Sequence, residues 1–134
     1  MPRRRYQPGT FALKVKRSSA GLGLFADEHI PKAACILEYV GRQISEEEKY
    51  SSRSRYLFEI NSRKTIDGKP RTNRAGYINH SCRPNCEPVI YRGRIFIFAL
   101  RAIRAGEELT YDYGKEYVKD YCWPCKCASC RSKK

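Results

Sequence analysis

The apolar residues of this chain come in short bursts cut by turn formers, and no other feature constrains the fold as much. The longest burst is Ile95–Leu100, and most, such as Phe11-Ala12-Leu13, are shorter. A membrane-spanning helix needs about 20 apolar residues, so none is predicted. Bursts of this length, separated by turn signals roughly every 8–12 residues, predict a mainly β domain. The predicted strands are Phe11–Lys16, Leu22–Ala26, Cys35–Tyr39, Tyr56–Ile60, Lys64–Asp67, Cys86–Tyr91 and Arg94–Ala99. Arg92-Gly93 reads as a hairpin turn between the last two, and Asp67-Gly68, followed by Lys69-Pro70, as a second turn. Only Ser45–Ser52 predicts a helix, with Ser45 as its N-cap and three Glu behind it. Ala75–Asn79 predicts at most one further helical turn.

With 134 residues the chain fits one domain. Its 10 Tyr, 5 Phe and 1 Trp exceed what a disordered chain carries, so a packed core is expected. The N-terminus, Met1-Pro2-Arg3-Arg4-Arg5, has positive charge but no apolar stretch behind it, and does not read as a signal peptide. The cysteines are Cys35, Cys82, Cys86, Cys122, Cys125, Cys127 and Cys130. Their number is odd and four crowd together near the C-terminus. A metal site in a reducing compartment fits that spacing better than a disulfide framework. The formal net charge is +13, and the ends carry most of it. Residues 1–17 hold six Lys or Arg and no acid, and residues 126–134 hold four more. Basic ends suit a nucleic-acid or acidic-protein partner, or else serve as solvated tails.

Four segments carry chemistry. In Gly21-Leu22-Gly23-Leu24-Phe25 the two glycines either let backbone approach a ligand or form a tight turn between strands. The third Gly and following helix of a dinucleotide fingerprint are missing. Gly76-Tyr77-Ile78-Asn79-His80-Ser81-Cys82-Arg83-Pro84-Asn85-Cys86 packs Asn, His, Ser and Cys together. His80 and Cys82 are either a nucleophile pair or packed structural groups, and no orienting third group is evident. In Ala105-Gly106-Glu107-Glu108-Leu109-Thr110-Tyr111-Asp112-Tyr113-Gly114, Tyr111 and Tyr113 alternate along an extended segment. They therefore share a face, lining either a channel with polar tips or a core. Cys122-Trp123-Pro124-Cys125-Lys126-Cys127-Ala128-Ser129-Cys130 predicts zinc bound by thiolates. Four tetrahedral ligands inside this stretch are cramped, so a fourth from Cys82 or Cys86 is expected.

The order of these segments, with Glu38-Tyr39-Val40-Gly41 between the first two, resembles the SET-domain protein lysine methyltransferases. The resemblance runs from about Phe11 to Cys130 and is carried most specifically by Asn-His-Ser-Cys and Leu-Thr-Tyr-Asp-Tyr. It implies a mainly β SET fold of small sheets around a knot-like crossing where those two segments meet. It divides the chain into a basic tail (1–10), a SET domain (11–115) and a zinc-bound post-SET segment with a basic tail (116–134). The short stretch from about Glu46 to Arg71 is the insert between the SET halves.

The resemblance also implies roles. Gly21, Leu22, Gly23, Asn79 and His80 would bind S-adenosylmethionine, Tyr56 would lie beside it, and Trp123 would stack on its adenine. Tyr113 matches the catalytic tyrosine and Tyr39 another tyrosine of the lysine channel. Tyr111 stands where the family carries Phe or Tyr, and Tyr there implies a mainly monomethyl product. Zinc would be held by Cys82, Cys125, Cys127 and Cys130, with Cys122 as the substitute, although Cys125-x-Cys127-x2-Cys130 is two residues shorter than the family's usual spacing. Cys35 is expected in the core, and Cys86 in the core or the zinc shell without ligating. The implied activity is protein-lysine methyl transfer by an intracellular monomer, nuclear in a eukaryote or cytoplasmic in a bacterium. Its substrate would be a histone tail or another basic protein, with nucleic-acid or nucleosome contact through the basic ends. The competing readings are a non-catalytic basic scaffold that binds nucleic acid or protein, and a Cys–His hydrolase built on Cys82.

Overall fold

The computed structural model describes residues 6–18, 21–52, 54 and 56–114. Trp123, Cys122, Cys125, Cys127 and Cys130 lie outside the described residues, as do Met1–Arg5 and the basic C-terminal end. The strands are β1 (Leu13–Ser18), β2 (Gly21–Ala26), β3 (Cys35–Tyr39), β4 (Arg42–Ile44), β5 (Leu57–Asn61), β6 (Lys64–Asp67), β7 (Asn79–His80), β8 (Cys86–Tyr91), β9 (Arg94–Ala99) and β10 (Thr110–Tyr111). Among the described residues, one α-helix, α1 (Glu46–Ser51), and a short 3-10 helix (Arg74–Tyr77) complete the elements. They form four small sheets: β1-β2, β3-β9-β8, β4-β6-β5 and β7-β10. This is the mainly β architecture expected from the sequence. Among the described residues no helix is long and apolar enough to cross a membrane.

Strand β9 sits at the centre of its sheet, and its unbroken apolar run follows from burial on both faces. Ile95, Ile97 and Ala99 face the main core with Leu24, Ile30, Ile36, Ile78, Ile103 and Leu109. Phe96 and Phe98 face the other way, with Cys35, and Tyr6 packs over them. Tyr6 also stacks on Tyr91 at 3.8 Å between ring centroids. The β8–β9 hairpin turns at Arg92 and Gly93, both with positive φ (50° and 73°), so the glycine meets a backbone requirement there. Ser45 caps α1 in a full capping box with Glu48.

Two strands begin later than expected. Residues 11–12 do not pair with β2, because the Ala12 amide donates to Glu28 and its carbonyl accepts from the Asp27 amide. Strand β5 begins at Leu57 because the Tyr56 carbonyl is taken by the Tyr39 hydroxyl and the Gly68 amide. Strands β4 and β7 are too short to show as a pattern in the sequence.

The pair β7–β10 is parallel, with Thr110 opposite Asn79 and Tyr111 opposite His80. The Asn-His-Ser-Cys and Tyr-Asp-Tyr segments therefore meet. Asn85, only 4% exposed, stitches the junction. Its Oδ1 accepts from the Thr110 amide at 2.9 Å, and its Nδ2 donates to the Glu108 carbonyl at 2.8 Å.

Removing that side chain leaves both backbone groups unpaired, at about 1–3 kcal/mol each. Asn85→Ala should therefore lower the unfolding free energy by at least about 2 kcal/mol in urea titration, and a loss below about 0.5 kcal/mol would contradict the clamp. The buried thiols offer a second check. Burial pushes Cys35 up to about 11 and Cys86 up to about 12, so neither carries thiolate at neutral pH. Iodoacetamide at pH 8 should leave both unlabelled in the native protein and label both in denaturant, as read by peptide mass mapping.

Candidate active site

Tyr111 and Tyr113 flank Asp112 on an extended backbone, so their side chains share a face. Their rings lie 4.9 Å apart at 58°, as the alternation predicts. Tyr111 is 8% exposed, Tyr113 packs against the same core, and Tyr39 belongs to that core at 5% exposure. The Tyr113 hydroxyl donates to the Ile78 carbonyl. The Tyr39 hydroxyl donates to the Tyr56 carbonyl at 2.7 Å. Each phenol thus spends its proton on backbone. Phe58 leans on Tyr39 at 5.5 Å between centroids and holds the ring.

His80 links the two segments. The Tyr113 amide donates to its Nδ1 at 3.1 Å, and the Nε2 lies 3.4 Å from the Cys82 sulfur. Burial lowers the imidazole pKa below its usual value, with Asp112 pulling weakly the other way. A neutral ring accepting at Nδ1 carries its proton on Nε2. That proton faces Cys82, so Nε2 has no lone pair with which to take the proton of the thiol. The Cys–His hydrolase reading is thereby disfavoured, although the two side chains do meet as their spacing suggests.

The Gly-Leu-Gly segment lies on β2 beside Asn79. Gly21 and Leu22 are exposed, and among the described residues nothing stands within 4 Å of where a Gly21 side chain would begin. Gly23 is buried, and a Cβ there would run into the Glu108 carboxylate. The Asn79 Nδ2 lies 3.0 Å from the Leu22 carbonyl, 2.8 Å from Glu108 Oε2 and 3.0 Å from Ser18 Oγ. The Tyr56 ring lies over Gly76, three residues before Asn79. Of the expected cofactor residues, Gly21, Leu22, Gly23, Asn79 and His80 are drawn to one region, with Tyr56 close by. This arrangement fits the arm of an amino-acid-bearing cofactor, with open backbone at Gly21 and a carboxamide oxygen on Asn79.

Cys82 is exposed, and among the described residues no three His, Cys, Asp or Glu side chains gather as a metal site. Cys35 and Cys86 are buried, as expected of non-ligating thiols. Two supporting residues escaped the sequence reading. Asn73, 2% exposed, accepts from the Val40 amide and donates to the Gly68 carbonyl, bracing the turn beside Tyr39. Glu108 reads in sequence as one more surface acid after Glu107. The only clue was Gly23, whose missing side chain makes its room.

The SET domain family matches residues 21–114. The histone-lysine N-methyltransferase trithorax of Drosophila virilis is 40% identical over 126 residues, covering 85% of this chain and 3% of that protein. The H3 lysine-4 specific histone-lysine N-methyltransferase of Aspergillus oryzae is 41% identical over 122 residues, covering 80% of this chain and 10% of that protein. A solved chain from a humanized mutant of the Chaetomium thermophilum Polycomb Repressive Complex 2, bound to the inhibitor GSK126, is 31% identical with a TM-score of 0.72. It covers 83% of this chain and 16% of that one. The chain thus spans a small part of the length of these relatives. With its Asn-His-Ser-Cys and Tyr-Asp-Tyr segments joined at one site and the family match running across it, the chain belongs to the SET-domain family.

Proposed function

We propose that the chain is an S-adenosylmethionine-dependent protein-lysine N-methyltransferase, with the lysine entering between Tyr39, Tyr111 and Tyr113. The observation that carries this reading is the tyrosine pair on β10 and the residues just after it, set directly beside the Asn79–His80 segment. S-adenosylmethionine supplies the methyl group on a sulfonium. Asn79, Leu22 and the backbone at Gly21 would hold its amino-acid arm, with Tyr56 alongside.

The attacking lysine must be neutral. At an ordinary pKa of about 10.4, deprotonation at pH 7 costs about 4.6 kcal/mol. Aromatic walls disfavour the ammonium, and a neighbouring positive charge repels it. The phenol oxygens of Tyr39 and Tyr113, already donating to backbone, accept the amine N–H bonds and aim its lone pair. No carboxylate pair or triad is needed.

The finer parts of the proposal are these. A hydroxyl at Tyr111 fills the space a second methyl would need, which favours a monomethyl product. Zinc would be held by Cys82 with Cys125, Cys127 and Cys130, or with Cys122 in place of one. Support for zinc comes from the exposed Cys82 sulfur and from thiolate chemistry, and Trp123 would stack on the adenine. A histone tail is the favoured substrate, since the relatives named above are histone-lysine N-methyltransferases. The enzyme would act inside the cell, at chromatin in a eukaryote, with the basic ends contacting nucleic acid.

Labelled S-adenosylmethionine with a histone peptide array and whole lysate tests the activity, and no transfer to any lysine would refute it. Tyr113→Phe should keep cofactor affinity and lower kcat by about 10²-fold. Near-normal turnover in that variant would overturn its catalytic role. Tyr111→Phe should shift the product toward di- and trimethyl-lysine by mass spectrometry. Abundant trimethyl-lysine from the unmodified chain would refute the monomethyl assignment.

A further inference from the structure

Three oxygens surround the Asn79 Nδ2 within 3.0 Å: the Leu22 carbonyl, Glu108 Oε2 and Ser18 Oγ. A carboxamide nitrogen has two hydrogens to give. The Leu22 carbonyl can only accept, and an ionised Glu108 can only accept. Two obligate acceptors at one atom of the amide settle which atom it is, because an oxygen there would face two other oxygens. The nitrogen is therefore turned inward, and Oδ1 on the opposite branch has no partner among the described residues.

Glu108 is held for this purpose from several directions. Its carbonyl accepts from Asn85 Nδ2, and its backbone bridges Phe25 on β2. The next amide, at Leu109, donates to the Leu24 carbonyl at 2.8 Å. The carboxylate reaches Asn79 across Gly23, where any larger residue would collide with it.

We propose that Glu108 is a positioning residue for the cofactor: with the Leu22 carbonyl it fixes the Asn79 carboxamide so that Oδ1 is presented to the α-ammonium of the cofactor's amino-acid arm. This rests on the reading that Asn79 binds S-adenosylmethionine. Without Glu108 the carboxamide loses its charge-assisted partner, and rotation can present the nitrogen, a donor, to the ammonium. The loss is confined to the amino-acid arm and spares the adenosine end.

Calorimetry on the full chain with two probes separates these effects. S-adenosylhomocysteine carries the amino-acid arm, whereas 5′-methylthioadenosine lacks it. Glu108→Ala should weaken S-adenosylhomocysteine about tenfold and leave 5′-methylthioadenosine within about twofold, a selective loss of the size expected for one charge-assisted hydrogen bond. Glu108→Gln, which keeps an acceptor oxygen, should restore most of the affinity. Glu108→Asp, too short to reach Asn79, should behave like Glu108→Ala and replaces it if that variant does not fold. Equal loss of both probes, or loss of neither, overturns the positioning role. Failure of the unmodified chain to bind either probe overturns the cofactor reading itself, and this inference with it.

Discussion

Two residues of parallel β-pairing hold the candidate site together, and the rest of the molecule exists around that join. Asn79 faces Thr110 and His80 faces Tyr111. A parallel pair cannot be closed by a tight turn and needs a long connection. Here the connection contains β8 and β9, the strands that carry much of the core. The site therefore forms only when the core has formed. So short a pair has little stability of its own. Further hydrogen bonds supplement it: the Asn85 side chain stitches Glu108 and Thr110, the Ser81 backbone amide donates to the Tyr111 carbonyl, and the His80 ring accepts from the Tyr113 amide.

The same economy governs the tyrosines. A phenol free to rotate would present donor or acceptor at random. Tyr39 and Tyr113 are each tied by donation to a backbone carbonyl, at Tyr56 and Ile78. Those carbonyls belong to segments that also frame the proposed cofactor region: Tyr56 lies over Gly76, and Ile78 immediately precedes Asn79. A shift in one region is thus felt in the other through a single peptide unit. Asn73 extends the brace by joining Val40, after Tyr39, to Gly68.

Strands of four to six residues between turns were legible: β3, β6, β8 and β9 fall on their expected bounds. Their patterns are local, and burial on one or both faces writes itself into the residues. The α1 boundary was legible through the Ser45 cap for the same reason. Strands β4 and β7 were not, since two or three residues hold no period and their partners are remote in sequence. The tyrosine face was legible because alternation alone puts Tyr111 beside Tyr113. Glu108 was not, because its meaning depends on Asn79, 29 positions away, and on a missing side chain at Gly23.

One consequence concerns where negative charge is tolerated. A carboxylate beside the lysine nitrogen would stabilise the ammonium and raise its pKa, opposing the proposed reaction. A carboxylate beside the cofactor's ammonium does the reverse, since that group stays charged throughout. The segment from Glu108 to Tyr113 separates these needs over a few residues. Glu108 turns to the Asn79 carboxamide, while Tyr111 and Tyr113 bring only hydroxyls to the opposite task. A neutral amine has two N–H bonds and one lone pair. In the proposed reaction the phenol oxygens of Tyr39 and Tyr113, whose protons go to the Tyr56 and Ile78 carbonyls, would accept both N–H bonds and leave the lone pair as the only direction in which to react.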